Sequence, residues 1–261
     1  MISLFLGGIM KRLKELLKEN NKSSVIVYFT LRFLVILCLV RELYLKNYNN
    51  ALLCLLSLCL LLVPFVIEKK LKIEIPSALE IFIYLFIFSA EILGEINNFY
   101  LKIPYWDSVL HTLNGFLAAA VGFSLFHLLN EHSEKIDLSP WFLCMVSFCF
   151  SMTIGVMWEM FEYNMDRTFS LDMQKDTIIN RVVSVDENNV PIIMDNINKT
   201  ILHSGDKEII YDGHLDIGLI DTMQDINVNF IGAFIFNVFG FLYLKKDKYK
   251  FIKGFMPTRR E

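Results

Sequence analysis
The sequence predicts an all-α membrane protein: a polytopic bundle of about six transmembrane helices with a small β-prone outer loop. Three observations predict it. First, 54% of the 261 residues are hydrophobic, only 20% are charged and the mean hydropathy is +0.46. A soluble domain of this size has no room to bury so much apolar surface. Second, six apolar stretches of about 18 residues or longer run at 24–41, 50–67, 77–97, 108–129, 140–161 and 226–244, each long enough to cross a bilayer core. Third, Lys and Arg gather in segments that six spans place on one side. The composition excludes a disordered, collagen-like or disulfide-stapled chain. Cys38, Cys54, Cys59, Cys144 and Cys149 lie inside apolar stretches with no Cys-x-x-Cys pair, which argues against a disulfide or zinc framework.

The segment 1–23 opens with its apolar part ahead of its charges, the reverse of a secretory signal. Within it, 11–19 alternates Leu with Lys and Glu at helical spacing, as in an amphipathic helix lying at the interface. Transmembrane helices 1–5 occupy 24–161. The N-terminal segment holds Lys11, Arg12, Lys14, Lys18 and Lys22, and the turn between spans 2 and 3 holds Lys69, Lys70 and Lys72. The tail 245–261 holds Lys245, Lys246, Lys248, Lys250, Lys253, Arg259 and Arg260. The positive-inside rule makes these three segments, and so both termini, cytoplasmic. Span 6 is then 226–244, and 162–225 is an extracytoplasmic loop. In that loop 181–185, 192–194, 200–203 and 208–211 are short β-prone runs separated by turn-formers, which predicts a hairpin or meander. Gly115, Gly122, Gly232 and Gly240 mark close helix contacts, and Trp106, Trp141 and Trp158 mark interfacial ends. Arg32 and Glu80 fall at similar depth in spans 1 and 3 and are candidates for an ion pair.

Ionisable groups inside spans are costly and are functional candidates by default. Span 3 ends outward with Glu91 and Glu95, and span 4 starts there with Asp107, His111 and Asn114. Span 5 ends with Glu159, Glu162 and Asp166, and span 6 starts with Asp221, Asp225 and Asn229. The topology brings all four groups to the outer membrane boundary. The pairs Glu91/Glu95, Asp107/His111 and Asp221/Asp225 are spaced i, i+4, and Glu159/Glu162 is spaced i, i+3, so each pair shares one helix face. Carboxylate-rich metal sites in helical bundles are built this way. Two carboxylates about 5 Å apart repel by roughly 3 kcal/mol at an effective dielectric near 20. Such a cluster needs protonation or a divalent cation, since the local cations are Lys102, Arg167 and Arg181. Oxygen ligands with one His favour Mg, Mn or Ca over Zn. The candidate metal ligands are therefore Asp107, His111, Glu159, Glu162, Asp221, Asp225, Glu91 and Glu95. Some of these acids have a bland alternative, since Asp221 and Asp225 also suit a helix N-terminus as cap and dipole partners.

Taken together, Pro104-x-x-Asp107-x-x-x-His111-x-x-x-Gly115, Trp158-Glu159-x-x-Glu162-Tyr163 and Asp221-Thr222-x-x-Asp225-x-x-x-Asn229-x-x-Gly232-Ala233 resemble the YjdF-like family of bacterial inner-membrane proteins. The resemblance covers about 90–240 with the motifs in the same order, and the chain departs from it by the long 167–220 insertion. It implies a multi-pass protein of the bacterial cytoplasmic membrane and no particular reaction. A weaker likeness joins Asp107-x-x-x-His111 and Asp225-x-x-x-Asn229-x-x-Gly232 to VanZ-like membrane proteins, which tend to Gln where this chain has Glu162.

Three functions fit the residues. The leading one is a divalent-cation-dependent enzyme at the outer face, acting on lipid or cell-envelope intermediates, with His111, Glu159 and Glu162 as catalytic candidates for general-base work. The second is a non-catalytic envelope or sensory component with a structural cation clamp. The third is a proton- or cation-coupled transporter, although one-sided clustering and the lack of a repeat count against it. Membrane lipids are the implied surroundings. Nucleic acid is not an implied partner, since the basic segments already follow the positive-inside rule.

Overall fold
The computed structural model describes residues 22–131, 138–246 and 248–259. The amphipathic stretch expected at 11–19 lies outside the described residues. The helices are α1 (Lys22–Tyr44), α2 (Tyr48–Leu60), α3 (Val63–Leu71), α4 (Ser77–Ile87), α5 (Phe99–Lys102), α6 (Trp106–Glu131), α7 (Pro140–Phe169) and α8 (Leu219–Lys246). A π-helix, Phe88–Ile96, continues α4, and a 3-10 helix, Lys250–Phe255, follows α8. Among the described residues six helical stretches are long and apolar enough to cross a membrane: Ser23–Tyr44, Tyr48–Lys70, Ser77–Ile96, Trp106–Asn130, Pro140–Phe169 and Leu219–Lys246. Each contains or closely matches one of the six expected spans.

Two spans are less regular than their hydropathy implies. The second is broken between α2 and α3, where Pro64 stands in the first turn of α3 and has no N–H to continue the ladder. Span 3 changes winding from α to π at Phe88. The π geometry is rare and concentrates at functional segments, and here it carries Glu91 and Glu95.

The described chain forms two compact units, Ile154–Asn227 and the remainder. In the larger unit, one apolar cluster joins α1, α2 and α4 around Val35, Cys54, Leu61 and Tyr84. A second joins α4, α6 and α8 around Leu79, Phe123 and Phe236. The Phe236 ring meets both Phe116 and Phe123, at 5.1 and 5.7 Å between centroids. Contacts that advance together along both chains make α6 and α8 parallel. α7 runs the other way: Ser147 Oγ donates to the Ala119 carbonyl at 2.8 Å and Ser151 Oγ to the Gly115 carbonyl at 2.7 Å. Small and hydroxyl side chains at a helix interface let backbones approach closely, which drives association where lipid supplies no hydrophobic force.

Each member of the expected Arg32–Glu80 ion pair bonds a tyrosine. Arg32 donates to the Tyr28 hydroxyl at 2.7 Å, and the Tyr84 hydroxyl donates to Glu80 at 2.6 Å. The two tyrosine rings lie 5.2 Å apart between the charged residues. The tail also departs from a simple solvated end. Ile252, Phe255 and Met256 are buried in the second cluster, and β8 (Thr258–Arg259) pairs antiparallel with β1 (Ile73–Glu74).

The smaller unit holds the rest of α7, three two-stranded antiparallel ribbons and the first turns of α8. β2 (Thr177–Ile179) pairs with β7 (His214–Asp216), β3 (Val182–Val185) with β4 (Pro191–Met194), and β5 (Thr200–Ser204) with β6 (Lys207–Tyr211). β3, β4, β5 and β6 coincide with the four expected β-prone runs, whereas β2 and β7 match none of them. Gly205, at φ +59°, sits at the first central position of the two-residue turn joining Ser204 to Lys207. That backbone geometry favours glycine and fits the twist of a hairpin.

Candidate metal centre
The centre is built on α6 and α8, and its geometry begins one turn below the ligands. There the two helices touch backbone to backbone. A Cβ added at Gly232 would lie 1.9 Å from the Thr112 carbonyl oxygen, and one added at Gly115 would lie 2.0 Å from that of Asn229. Only glycine permits this approach. Asn114 Nδ2 donates across the crossing to Asn229 Oδ1 at 3.1 Å, and Asn229 Nδ2 lies 3.7 Å from Met152 Sδ. Asn229 is 1% exposed, so this pairing satisfies an amide that would otherwise be costly in an apolar bundle.

One helical turn toward the N-termini of both helices leads from Asn114 to His111 and from Asn229 to Asp225. Asp107 stands a further turn along α6. His111 Nε2 is 3.5 Å from Asp107 Oδ1. One ligand atom each from Asp107, His111 and Asp225 lies within 4.8 Å of the others, and this is the one such group among the described residues. His111 and Asp225 are buried, at 8% and 3% exposure, while Asp107 is half-buried. A buried imidazole facing two carboxylates is a set of three donors ready for a hard or borderline cation. Atoms on opposite sides of a calcium ion stand about 4.6–5.2 Å apart, and on opposite sides of magnesium about 4.0–4.2 Å. The His111–Asp107 edge at 3.5 Å and the 4.8 Å limit on the other two distances lie within the spans open to ligands of one such cation.

The other expected ligands are placed differently. Glu159 and Glu162 share one face of α7 and are both buried. Glu162 Oε1 accepts the indole N–H of Trp158 at 2.8 Å, so Trp158 is a partner of this acid as well as an interfacial ring. Asp221 Oδ2 accepts the Lys175 backbone N–H at 2.9 Å, and the carboxylate of Asp166 accepts those of Met173 and Gln174 at 2.6 and 2.8 Å. These two acids hold the loop backbone. Asp216 accepts the N–H of Ile220 at 2.8 Å in the first turn of α8, where a negative charge favours the helix end. On the π-helix, Glu91 is half-buried and Glu95 exposed.

Asn114 and Asn229 appear in the sequence only as polar neighbours of the acids, yet they form the floor of the centre. Their i, i+3 and i, i+4 spacing from His111 and Asp225 is the signal that points to them. In the loop, Asp176 is crowded by like charge. Partial desolvation first, then Asp172, Asp166 and Asp216, push its carboxyl above the ordinary aspartate range.

Comparison with known proteins agrees with the architecture. An uncharacterised protein of Thermotoga maritima is 30% identical over 104 residues, 40% of this chain and 52% of that protein. The chain thus matches about half the length of that relative. No solved structure matches. A family described as a predicted membrane protein, DUF2238, matches residues 25–246. That match runs from the first span through the last and takes in Asp107, His111 and Asp225, so the chain belongs to the DUF2238 family of membrane proteins.

Proposed function
We propose that Asp107, His111 and Asp225 bind a divalent cation (Mg, Mn or Ca) and that this centre carries the protein's activity. The observation that supports it is the convergence of three ligand atoms within 4.8 Å, two of them on buried residues. We read the protein as a YjdF-like component of the bacterial cytoplasmic membrane, with both termini cytoplasmic and the centre at the outer face. The lysine-rich turn and tail support that orientation.

At that depth the accessible substrates are lipid or cell-envelope intermediates. A bound cation would supply polarisation of a phosphoryl or acyl oxygen, or a more acidic water. The chain's own residues do the rest. His111 Nε2 lies 3.5 Å from Asp107, and Glu159 and Glu162 on α7 supply further buried carboxylates for general-base work. The same centre serves a non-catalytic clamp if the cation only joins α6 to α8.

The test is elemental analysis of the chain purified in mild detergent, with thermal unfolding under added Mg²⁺, Mn²⁺ and Ca²⁺. A saturating ligand adds about 2.7 kcal/mol at a hundredfold excess over Kd, a rise on the order of 5 °C or more in a chain of this size. The expected result is one cation per chain, lost in His111→Ala and in Asp225→Asn. Absence of metal together with no cation-dependent shift refutes the centre. Metal that is retained in both variants places it elsewhere. Among metal-binding outcomes, loss of stability alone identifies a clamp, whereas loss of lipid turnover in a stably folded Glu159→Gln or Glu162→Gln identifies an enzyme.

A further inference from the structure
At the other end of the larger unit, away from the N-terminus of α6, we propose that the C-terminal segment and the end of α3 form a binding platform for the headgroups of anionic phospholipids. In a 3-10 helix, side chains three apart lie in one row. Ile252 and Phe255 form such a row in Lys250–Phe255 and are 0% and 7% exposed. The row is fixed against both α4 and α6. The Phe255 ring meets Phe82 and Phe116 at 5.5 and 5.4 Å, and Ser124 Oγ donates to the Phe255 carbonyl at 3.2 Å.

Burying that row fixes the rotation of the segment. Lys250 and Lys253 form the next row and are exposed, as is Lys248. Between them Tyr249 and Phe251 are 44% and 48% exposed while their rings pack on Phe239 at 5.0 and 5.5 Å. Aromatic rings with one apolar side and lysines alongside are the composition of a headgroup boundary.

The end of α3 adds to this surface. Lys69, Lys70 and Lys72 are exposed, and the next residue, Ile73, pairs with Arg259 in the β1–β8 ladder. The ladder ties both basic segments to one end of the unit. Of the described carboxylates in these segments, Glu68 is buried and accepts the Ile75 N–H at 2.9 Å, and Glu74 is exposed. Positive charge at the end of a span, held by a buried apolar row rather than on a solvated tail, matches a negative lipid surface.

The test uses the full chain purified in mild detergent and exchanged into phosphatidylglycerol or phosphatidylcholine, with retained lipid counted by native mass spectrometry. The variant is Lys70→Gln/Lys72→Gln/Lys248→Gln/Lys253→Gln, and the control is Lys199→Gln/Lys207→Gln in the loop ribbons. Each lysine near an anionic surface is worth about five-fold in binding. The four-site variant should therefore weaken phosphatidylglycerol retention by at least about ten-fold after salt screening. The control and phosphatidylcholine retention should not change. Equal retention of both lipids by the parent chain overturns the proposal, and so does an equal loss in variant and control. Protection by millimolar inorganic phosphate to the same extent as by phosphatidylglycerol overturns it in favour of a free-anion site. If the variant fails to fold, the parent chain decides: half-molar salt should release its phosphatidylglycerol, and retention in that salt overturns the proposal.

Discussion
Substituting Gly232→Ala tests whether the closeness of α6 and α8 makes the metal centre. A new Cβ would lie 1.9 Å from the Thr112 carbonyl oxygen and 2.9 Å from the Phe116 nitrogen. Real Cβ contacts essentially never fall below 3.0 Å, so the helices must part by more than 1 Å. Both neighbours are backbone atoms of a helix and cannot swing aside as a side chain would. Helix propensity acts in the opposite direction, since Ala is favoured over Gly by about 1 kcal/mol in a helix interior. Overpacking of this kind costs about 1–3 kcal/mol. The Asn114–Asn229 hydrogen bond, at 3.1 Å, would stretch beyond bonding distance, for about 1 kcal/mol more. The net expectation is a loss of about 1–3 kcal/mol, read as a fall of several degrees in Tm in detergent, with bound cation lost in parallel. Gly240→Ala is the control, because its Cβ meets the edge of the Phe123 ring at 3.0 Å and the ring can yield. A Gly232→Ala protein as stable as Gly240→Ala and with a full complement of cation would refute the link between the crossing and the centre.

Three further outcomes follow from the same geometry. A double-mutant cycle on Asn114→Ala and Asn229→Ala should give a coupling of about 1 kcal/mol in thermal unfolding, and additive single effects would mean the 3.1 Å contact contributes nothing. Trp158→Phe keeps the ring but removes the donor to buried Glu162, so it should cost about 1.5–3 kcal/mol, and an unchanged Tm would show that Glu162 is supported without it. The raised pKa of Asp176 means that the folded chain holds its proton to higher pH than the unfolded chain does. Stability therefore falls as pH rises from the ordinary aspartate range through the raised value, and Asp176→Asn should stabilise at pH 7 but not in acid, as a series of thermal melts would show.

The spans were legible because their apolar stretches match bilayer thickness, and helix ends were less so. The last span begins at Leu219 rather than near 226, because Asp221 and Asp225 lower the hydropathy without breaking the helix. Asp216, outside the apolar run, supports its first turn. The break at Pro64 had a local signal in the proline itself. The π winding at Phe88–Ile96 had no specific signal, since its one poor helix former, Gly94, does not by itself distinguish π from α winding. Glu91 and Glu95, spaced i, i+4, still fall about one turn apart on that winding, with Glu91 half-buried and Glu95 exposed. The tail was read from its lysines, whereas the Ile252/Phe255 row at 3-10 spacing is what seats it in the core.

At the centre, spacing within a helix was informative and bonding to loop backbone was not. Asp107 and His111 at i, i+4 on α6 and Asp225 on the parallel α8 bring one oxygen or nitrogen each within 4.8 Å of the others. Asp221 and Asp166 have the same chemistry and a similar position but bond the N–H groups of Lys175, Met173 and Gln174. Which backbone groups of a long loop need an acceptor depends on its three-dimensional path, and no residue pattern states that in advance.

The same distinction explains why glycines and asparagines, rather than the acids, determine whether ligands meet. Acids at the end of a span are common, and most can reach water or a loop amide. Bringing carboxylates of two helices within the span of one coordination sphere requires their axes to be unusually close. The chain meets that requirement one turn below the ligands, where Gly115 and Gly232 remove every atom that would separate the backbones. Asn114 and Asn229 then hold the register at a depth where an unmet amide would be costly. Moving Asp225 by one residue along α8 would rotate it by about 100°, off the face that the glycines press against α6. The packing therefore fixes where these side chains meet, and the cation we propose there would in turn hold α6 against α8.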